Sequence, residues 1–146
     1  MSDSTLTGIQ SDFIDTWWEV VEPLLSPAIA RSLGMLTSDS VYKSLKNKEM
    51  QLWISIRNNQ VEAAATTQIL TYPEVKVLAL PLIGGKNRNN WLLFEPTFHE
   101  YGKSFGCTYL EGYFRLGWLG IQRKKDGGVL GNDWKAGWVF ARKEIK

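Results

Sequence analysis

The stretch that most constrains this chain is Leu52 to Gly84, where three runs of strand period succeed one another with only tight turns between them. In MQLWISIRN, Leu52, Ile54 and Ile56 alternate with Gln51, Trp53, Ser55 and Arg57, the pattern of a half-buried strand. Asn58-Asn59-Gln60 tolerates the left-handed angles of a tight hairpin turn. VEAAATTQILTY resumes the alternation through Val61, Ala63, Ala65, Thr67 and Ile69, and YPE turns the chain again. VKVLALPLIG is then apolar on both faces, as a central strand covered from two sides is. Together the three predict an antiparallel meander.

The next segment turns the sheet from antiparallel to mixed. Trp91 to Phe105 has helical period, with Phe94, Phe98, Tyr101 and Phe105 on one stripe. Pro96 lies near its start, so the first turn begins either at Trp91 or at about Glu95. Gly106 stops the helix, and CTYLEGYFR is a further strand. A strand, a crossover helix and a strand form a βαβ unit, whose strands are parallel and joined by a right-handed crossover. LGWLGIQRKKDGG then gives a short helix interrupted by glycines, and WKAGWVFARKEI a final strand.

Ahead of the meander the pattern is helical. Residues 1–10 are polar and expected to fray. Ser11 or Asp12 caps a helix with Phe13, Trp17, Val20, Val21 and Leu24 on its apolar side. Pro23 and Ser26-Pro27 predict that it breaks into two pieces, the second running from Ala28 to Leu33 and stopping at Gly34. Thr37 or Ser38 caps another short helix, with Val41, Tyr42 and Leu45 as its apolar residues. The fold class is α/β, a mixed but mostly antiparallel sheet in a single domain over 1–146.

Composition excludes several function classes. Seventeen Lys and Arg against 15 Asp and Glu leave a net charge of +2, too balanced to argue for nucleic acid or a membrane surface. One cysteine, Cys107, forms no internal disulfide, and one histidine, His99, with scattered carboxylates makes no structural zinc site. MSDSTLTGIQ lacks the basic and apolar regions of a signal peptide, and no apolar run is long enough to span a bilayer. The expectation is a cytoplasmic protein without metal. Its seven tryptophans are dispersed, as core residues are, with a partner surface as the other use for some of them.

This order of elements resembles the Gcn5-related N-acetyltransferase (GNAT) fold, and more narrowly the small acetyltransferase-like proteins of tailed bacteriophages. QLWISIRNNQVEAAATTQILTYPEVKVLALPLIGG is similar to their strands two to four, with the recurrent YP before the central strand. NWLLFEPTFHEYGKSFGCTYLEGY is similar to the next helix and fifth strand, and VFARKEI to the terminal strand. No first strand is evident before Ser11, which departs from the family.

The resemblance implies acyl-CoA binding, with acetyl-CoA as the group donor. In the family the fourth and fifth strands splay, and pantetheine pairs with the backbone of the fourth. Carried over, that backbone is Leu80, Leu82 and Ile83. The pyrophosphate would sit on the turn into the next helix, at Gly84, Gly85, Lys86, Asn87, Arg88, Asn89 and Asn90. The family's loop shows Arg or Gln, two residues, Gly, one residue, then Gly or Ala. Here the two glycines are adjacent and early, and asparagines with Trp91 stand nearer the helix.

Acetyl transfer to an amine requires a base for the ammonium proton, a donor for the developing oxyanion and an acid for the leaving thiolate. The family often places a Glu on strand four and a Tyr on the short helix after strand five. VLALPLIG has no acid or histidine, and Leu116 to Lys125 has no tyrosine. The substitutes are Glu111 or Glu62 as a base acting through water, and Tyr113 as the acid. Glu111 has pairing with a basic neighbour as its other reading, and Tyr113 packing. His99 and Cys107 are weaker candidates, read as a solvent-facing and a small apolar residue. Two functions are compatible with these residues. One is an acyl-CoA-dependent N-acetyltransferase with a degenerate site. The other is a non-catalytic phage protein that keeps the fold to bind a host or virion protein, placed in the host cytoplasm or the virion.

Overall fold

A computed structural model describes residues 3–86, 90–113, 134, 135, 137 and 140–146, without the side chains of residues 90 and 92. The chain divides into two compact units, Met1–Tyr113 and Phe114–Lys146. In the first, the order is β1 (Thr5–Ile9), α1 (Ile14–Arg31), α2 (Ser38–Lys46), β2 (Gln51–Arg57), β3 (Gln60–Thr71), β4 (Lys76–Gly85), α3 (Asn90–Ser104) and β5 (Tyr109–Gly112). The five strands form one sheet in sequence order. The β1–β2, β2–β3 and β3–β4 pairs are antiparallel and β4–β5 is parallel. The mixed sheet expected from the sequence is the sheet observed.

Two expectations in the N-terminal half are corrected. Residues 5–9 do not fray: Thr5 pairs with Ile56 and Ile9 with Leu52, which supplies the missing first strand. Gly8 sits under the ring of Trp53, where an added Cβ would touch Cζ3 at 3.4 Å. The chain from 14 to 31 is also one helix rather than two, with Pro23 and Pro27 inside it. Each proline removes the hydrogen bond to the carbonyl four residues earlier, at Glu19 and Pro23. Glu19, Pro23 and Pro27 are all exposed, so water can satisfy the freed carbonyls and the helix survives. Its buried face is Ile14, Val21, Leu25 and Ile29, while Phe13 and Val20 are exposed. The apolar side is therefore rotated from the one the spacing suggested.

The other N-terminal elements form where expected. Thr37 caps α2 in a reciprocal box: its hydroxyl accepts from the Ser40 N–H at 3.0 Å and the Ser40 hydroxyl accepts from the Thr37 N–H at 2.9 Å. Asn58 and Asn59 turn the β2–β3 hairpin with φ of 54° and 62°. Helices α1 and α2 bury Val41, Leu45, Leu52, Ile54, Ala64 and Leu82 in one core. Trp53 meets Phe98 and Tyr101 of α3 edge-on at 5.2 and 5.1 Å, so this tryptophan serves packing. Trp91 is buried as well, stacked on Phe98.

Two bulges shape the sheet. In β2–β3, Ser55 faces Ala63 and Ile56 faces Val61, which leaves Glu62 as the extra residue. In β3–β4, Thr66 faces Leu82 and Gln68 faces Ala79, so Leu80 and Pro81 together oppose Thr67. Pro81 has no N–H to give the ladder, and a bulge is where a central strand accommodates that.

In the second unit, the short helix expected over Leu116–Lys125 lies outside the described residues. The described residues of the expected final strand, 134, 135, 137 and 140–145, form no strand. Alternation in sequence makes a strand only where a partner completes its hydrogen bonds, and no pairing to these residues occurs among the described ones. The Arg142 guanidinium lies over the Phe140 ring, 5.3 Å from its centre.

Candidate functional site

Among the described residues, β5 pairs with only the first half of β4. Their parallel register runs from Val77 opposite Tyr109 to Leu80 opposite Gly112, and β5 ends there. β4 continues through Pro81, Leu82, Ile83 and Gly84 to Gly85, held on its other side by β3. Among the described residues no strand pairs with the β5-side edge of β4 beyond Leu80. An edge of that kind presents unpaired N–H and C=O groups to any extended ligand. Among the described residues, pairing with β5 extends to Leu80, which is also the first residue of the Leu80–Pro81 bulge on the β3 side.

The glycines after this edge are required by packing. An added Cβ on Gly84 would stand 1.9 Å from the Leu24 carbonyl oxygen of α1. One on Gly85 would stand 2.5 Å from both Ala63 Cα and the Glu62 carbonyl oxygen, and Gly85 has φ +113°. Lys86 is exposed, and its N–H donates to the Glu62 carbonyl at 2.8 Å, extending the β3 contact by one residue. Asn87, Arg88 and Asn89 lie outside the described residues. α3 begins at Asn90, with no acidic residue in its first turn. Its opening N–H groups carry the positive end of the helix dipole without a nearby carboxylate on the same turn. Among the described residues, an unpaired stretch of the β4 edge is thus followed by Lys86 and then by the N-terminus of α3.

On the opposite strand, β5, Glu111 is half-buried and sits level with Ala79. Among the described residues its partner is a phenol: the Tyr72 hydroxyl donates to Oε2 at 2.7 Å. Tyr72 comes directly after the last residue of β3, so this bond crosses β4. The Tyr72 phenol is pushed up to about 12, first by that hydrogen bond, then by burial and the Glu111 charge, with Tyr113 adding to it. Tyr113, directly after β5, is 68% exposed. Glu111, Tyr72 and Tyr113 thus form one group beside the point where β4 and β5 separate. Nothing in the sequence marks Tyr72, because YPE has the character of a turn and the partner lies 39 residues on.

The remaining candidates lie apart from this group. The Glu62 carboxylate accepts from the Ser4 hydroxyl and, at 3.0 Å, from Ser55, at the β2–β3 bulge. His99 is exposed on α3, with Nε2 3.5 Å from Glu95 Oε2 one turn away. Cys107 is half-buried and its N–H donates to the Gly102 carbonyl at 2.9 Å. Burial, and secondarily the Cys107 thiol, push the Tyr101 phenol upward. No three metal-ligating side chains come together among the described residues. No helix among those residues is long and apolar enough to cross a membrane.

No family model matches the sequence, and no curated protein sequence does. Solved structures do match in shape. An aminoglycoside N-acetyltransferase, AAC(6')-Iy, in complex with CoA superimposes with a TM-score of 0.64 at 14% identity, covering 99% of this chain and 97% of that one. A predicted acetyltransferase with acetyl-CoA from Clostridium acetobutylicum gives 0.60 at 12% identity, with 96% of each chain covered. A GNAT family acetyltransferase from Staphylococcus aureus gives 0.60 at 11% identity, covering 99% of this chain and 100% of the other. With the sheet order and the parted β4–β5 pair, these matches establish that the chain has the fold of the GNAT acetyltransferases.

Proposed function

We propose that this protein is an acyl-CoA-dependent N-acetyltransferase that binds its donor along the open edge of β4. The observation that carries this reading is the early end of β5: pairing stops at Leu80–Gly112 while β4 runs on to Gly85. Acetyl-CoA supplies an activated thioester. The chain's own groups do the rest. The Pro81–Gly85 edge holds the extended donor, and Lys86 with the start of α3 faces its phosphates. Glu111 takes the proton of an acceptor ammonium, directly or through water, and Tyr113 returns a proton to the departing sulfur. The test is a calorimetric and thermal-shift titration with acetyl-CoA. Micromolar binding is expected, with stability rising by about 2.7 kcal/mol at a hundredfold excess over Kd. Absence of any response at millimolar acetyl-CoA would refute the reading.

A second reading rests on the composition of β4. KVLALPLIGG carries neither acid nor histidine, which favours a degenerate site on a protein that keeps the fold for interaction. The resemblance to phage acetyltransferase-like proteins points the same way, with a host or virion protein as the partner. Binding of acetyl-CoA without release of free thiol, in the presence of primary amines, would favour it over the first.

A further inference from the structure

Glu111 is the candidate base that stands beside the parted strands, and the way its carboxylate is held is specific. The Tyr72 hydroxyl bonds Oε2 at 2.7 Å, and among the described residues Oε1 accepts no hydrogen bond. One oxygen is anchored, and no described residue occupies the other. Glu111 sits on a four-residue strand at the margin of the described sheet, where a carboxylate on three rotatable bonds would otherwise sample many positions. Tyr72 stands at the β3–β4 turn, where its N–H donates to the Val75 carbonyl at 2.8 Å, and its hydroxyl reaches across β4 to Glu111, which is level with Ala79. A tyrosine is suited to this, because its ring moves on two torsions and its hydroxyl is a single directed donor.

We infer that Tyr72 is the positioning residue for Glu111, fixing one carboxylate oxygen so that the other is presented beside the parted β4–β5 edge. This rests on the acetyltransferase reading, with Glu111 as the proton acceptor. Tyr72 itself touches neither donor nor acceptor; it acts through Glu111. Geometry at the acceptor of a proton governs rate more than binding, so its loss appears in kcat.

The experiment is a double-mutant cycle of Tyr72→Phe and Glu111→Gln in the full chain. It is read as free thiol released from acetyl-CoA with spermidine, a lysine peptide and an aminoglycoside as acceptors, or with water alone. Acetyl-CoA affinity and thermal melting are measured for each variant, and Tyr109→Phe serves as a control for the neighbouring exposed hydroxyl on β5. Glu111→Gln should lower kcat about a hundredfold. Tyr72→Phe should lower it roughly tenfold with KM and acetyl-CoA affinity unchanged. The double variant should match Glu111→Gln alone, because a residue that acts through another adds nothing once that other is gone. Full activity in Tyr72→Phe, additive losses in the double variant, or an equal loss in Tyr109→Phe would each overturn the inference while leaving the acetyltransferase reading intact. Full activity in Glu111→Gln would overturn both the inference and the assignment of the base. Absence of acetyl-CoA binding in the unaltered protein would remove the reading beneath them.

Discussion

The carbonyl oxygen of Leu24, in the middle of α1, lies 1.9 Å from where a Cβ on Gly84 would be. The helix rests directly on the β4 backbone at the end of the open edge. Gly84→Ala therefore has to lift α1 or bend β4, at a cost of about 3 kcal/mol. Chemical denaturation would check it, and a loss under about 1 kcal/mol would mean the contact is looser than these positions imply.

A second core position should respond in the opposite direction. The Thr66 hydroxyl is fully buried beside the β3–β4 bulge and has no hydrogen-bond partner among the described residues. Thr66→Val replaces an unsatisfied hydroxyl by a methyl group and should stabilise the protein by about 1 kcal/mol. If melting instead shows destabilisation, the hydroxyl is bonded, for instance by a buried water.

The Tyr72–Glu111 bond has a signature in alkaline solution. Because the folded value of the Tyr72 phenol, about 12, exceeds the ordinary value of 10, its stabilising contribution is complete below pH 10. That contribution is lost as pH rises toward 12. Phenolate absorbance during titration should show a late-ionising tyrosine that vanishes in Tyr72→Phe and ionises at lower pH in Glu111→Gln. An unchanged late phase in Glu111→Gln would show that another group holds the phenol.

Asp15 gives the acidic counterpart. It accepts from Lys46 Nζ at 2.8 Å and from the Tyr42 hydroxyl, joining α1 to α2. The Lys46 bond first, and the Tyr42 bond second, hold its carboxyl below the usual 3.8. Its contribution is present above that value and disappears as pH falls through the lower folded one. Asp15→Asn should flatten the acid limb of the stability curve, and an unaltered limb would show that the bracket contributes nothing to folding. The effect should be small, since the pair is exposed to solvent.

Lys86 offers a test of the anion end of the site. It is exposed, and its backbone N–H ties it to β3. Lys86→Glu should weaken acetyl-CoA binding roughly tenfold at low salt and less at high salt, without altering the melting temperature. Equal affinities at both salt concentrations would place the phosphates elsewhere.

How much of the fold and site was legible depends on where each residue finds its partner. The meander and the parallel strand after α3 were readable because alternation, Asn58-Asn59 and the α3 stripe are local signals. β1 was not, because Thr5 meets Ile56 far along the chain and TLTGI is too short to declare itself. The single α1 was hidden by a sound rule, that proline interrupts helices, which yields where the freed carbonyls face water. In the site, Glu111 stands out by its charge, but nothing adjacent in sequence announces Tyr72. The glycines at the end of β4 suggest a phosphate turn in sequence, whereas their most stringent neighbours are the backbones of α1 and β3.

The two prolines in α1 also bear on the order in which this protein assembles. A helix missing two of its internal hydrogen bonds, with residues before each proline biased away from helical angles, has little tendency to form alone. The β2–β3 hairpin, closed by a two-residue turn, carries its contacts within a short span of chain. The sheet is therefore the template and α1 a late arrival, folded on contact with Gly84 and the Leu82 side of β4. An isolated peptide of residues 11–33 should be largely unstructured by circular dichroism, and substitutions on the buried face of α1 should speed unfolding while leaving the folding rate nearly unchanged.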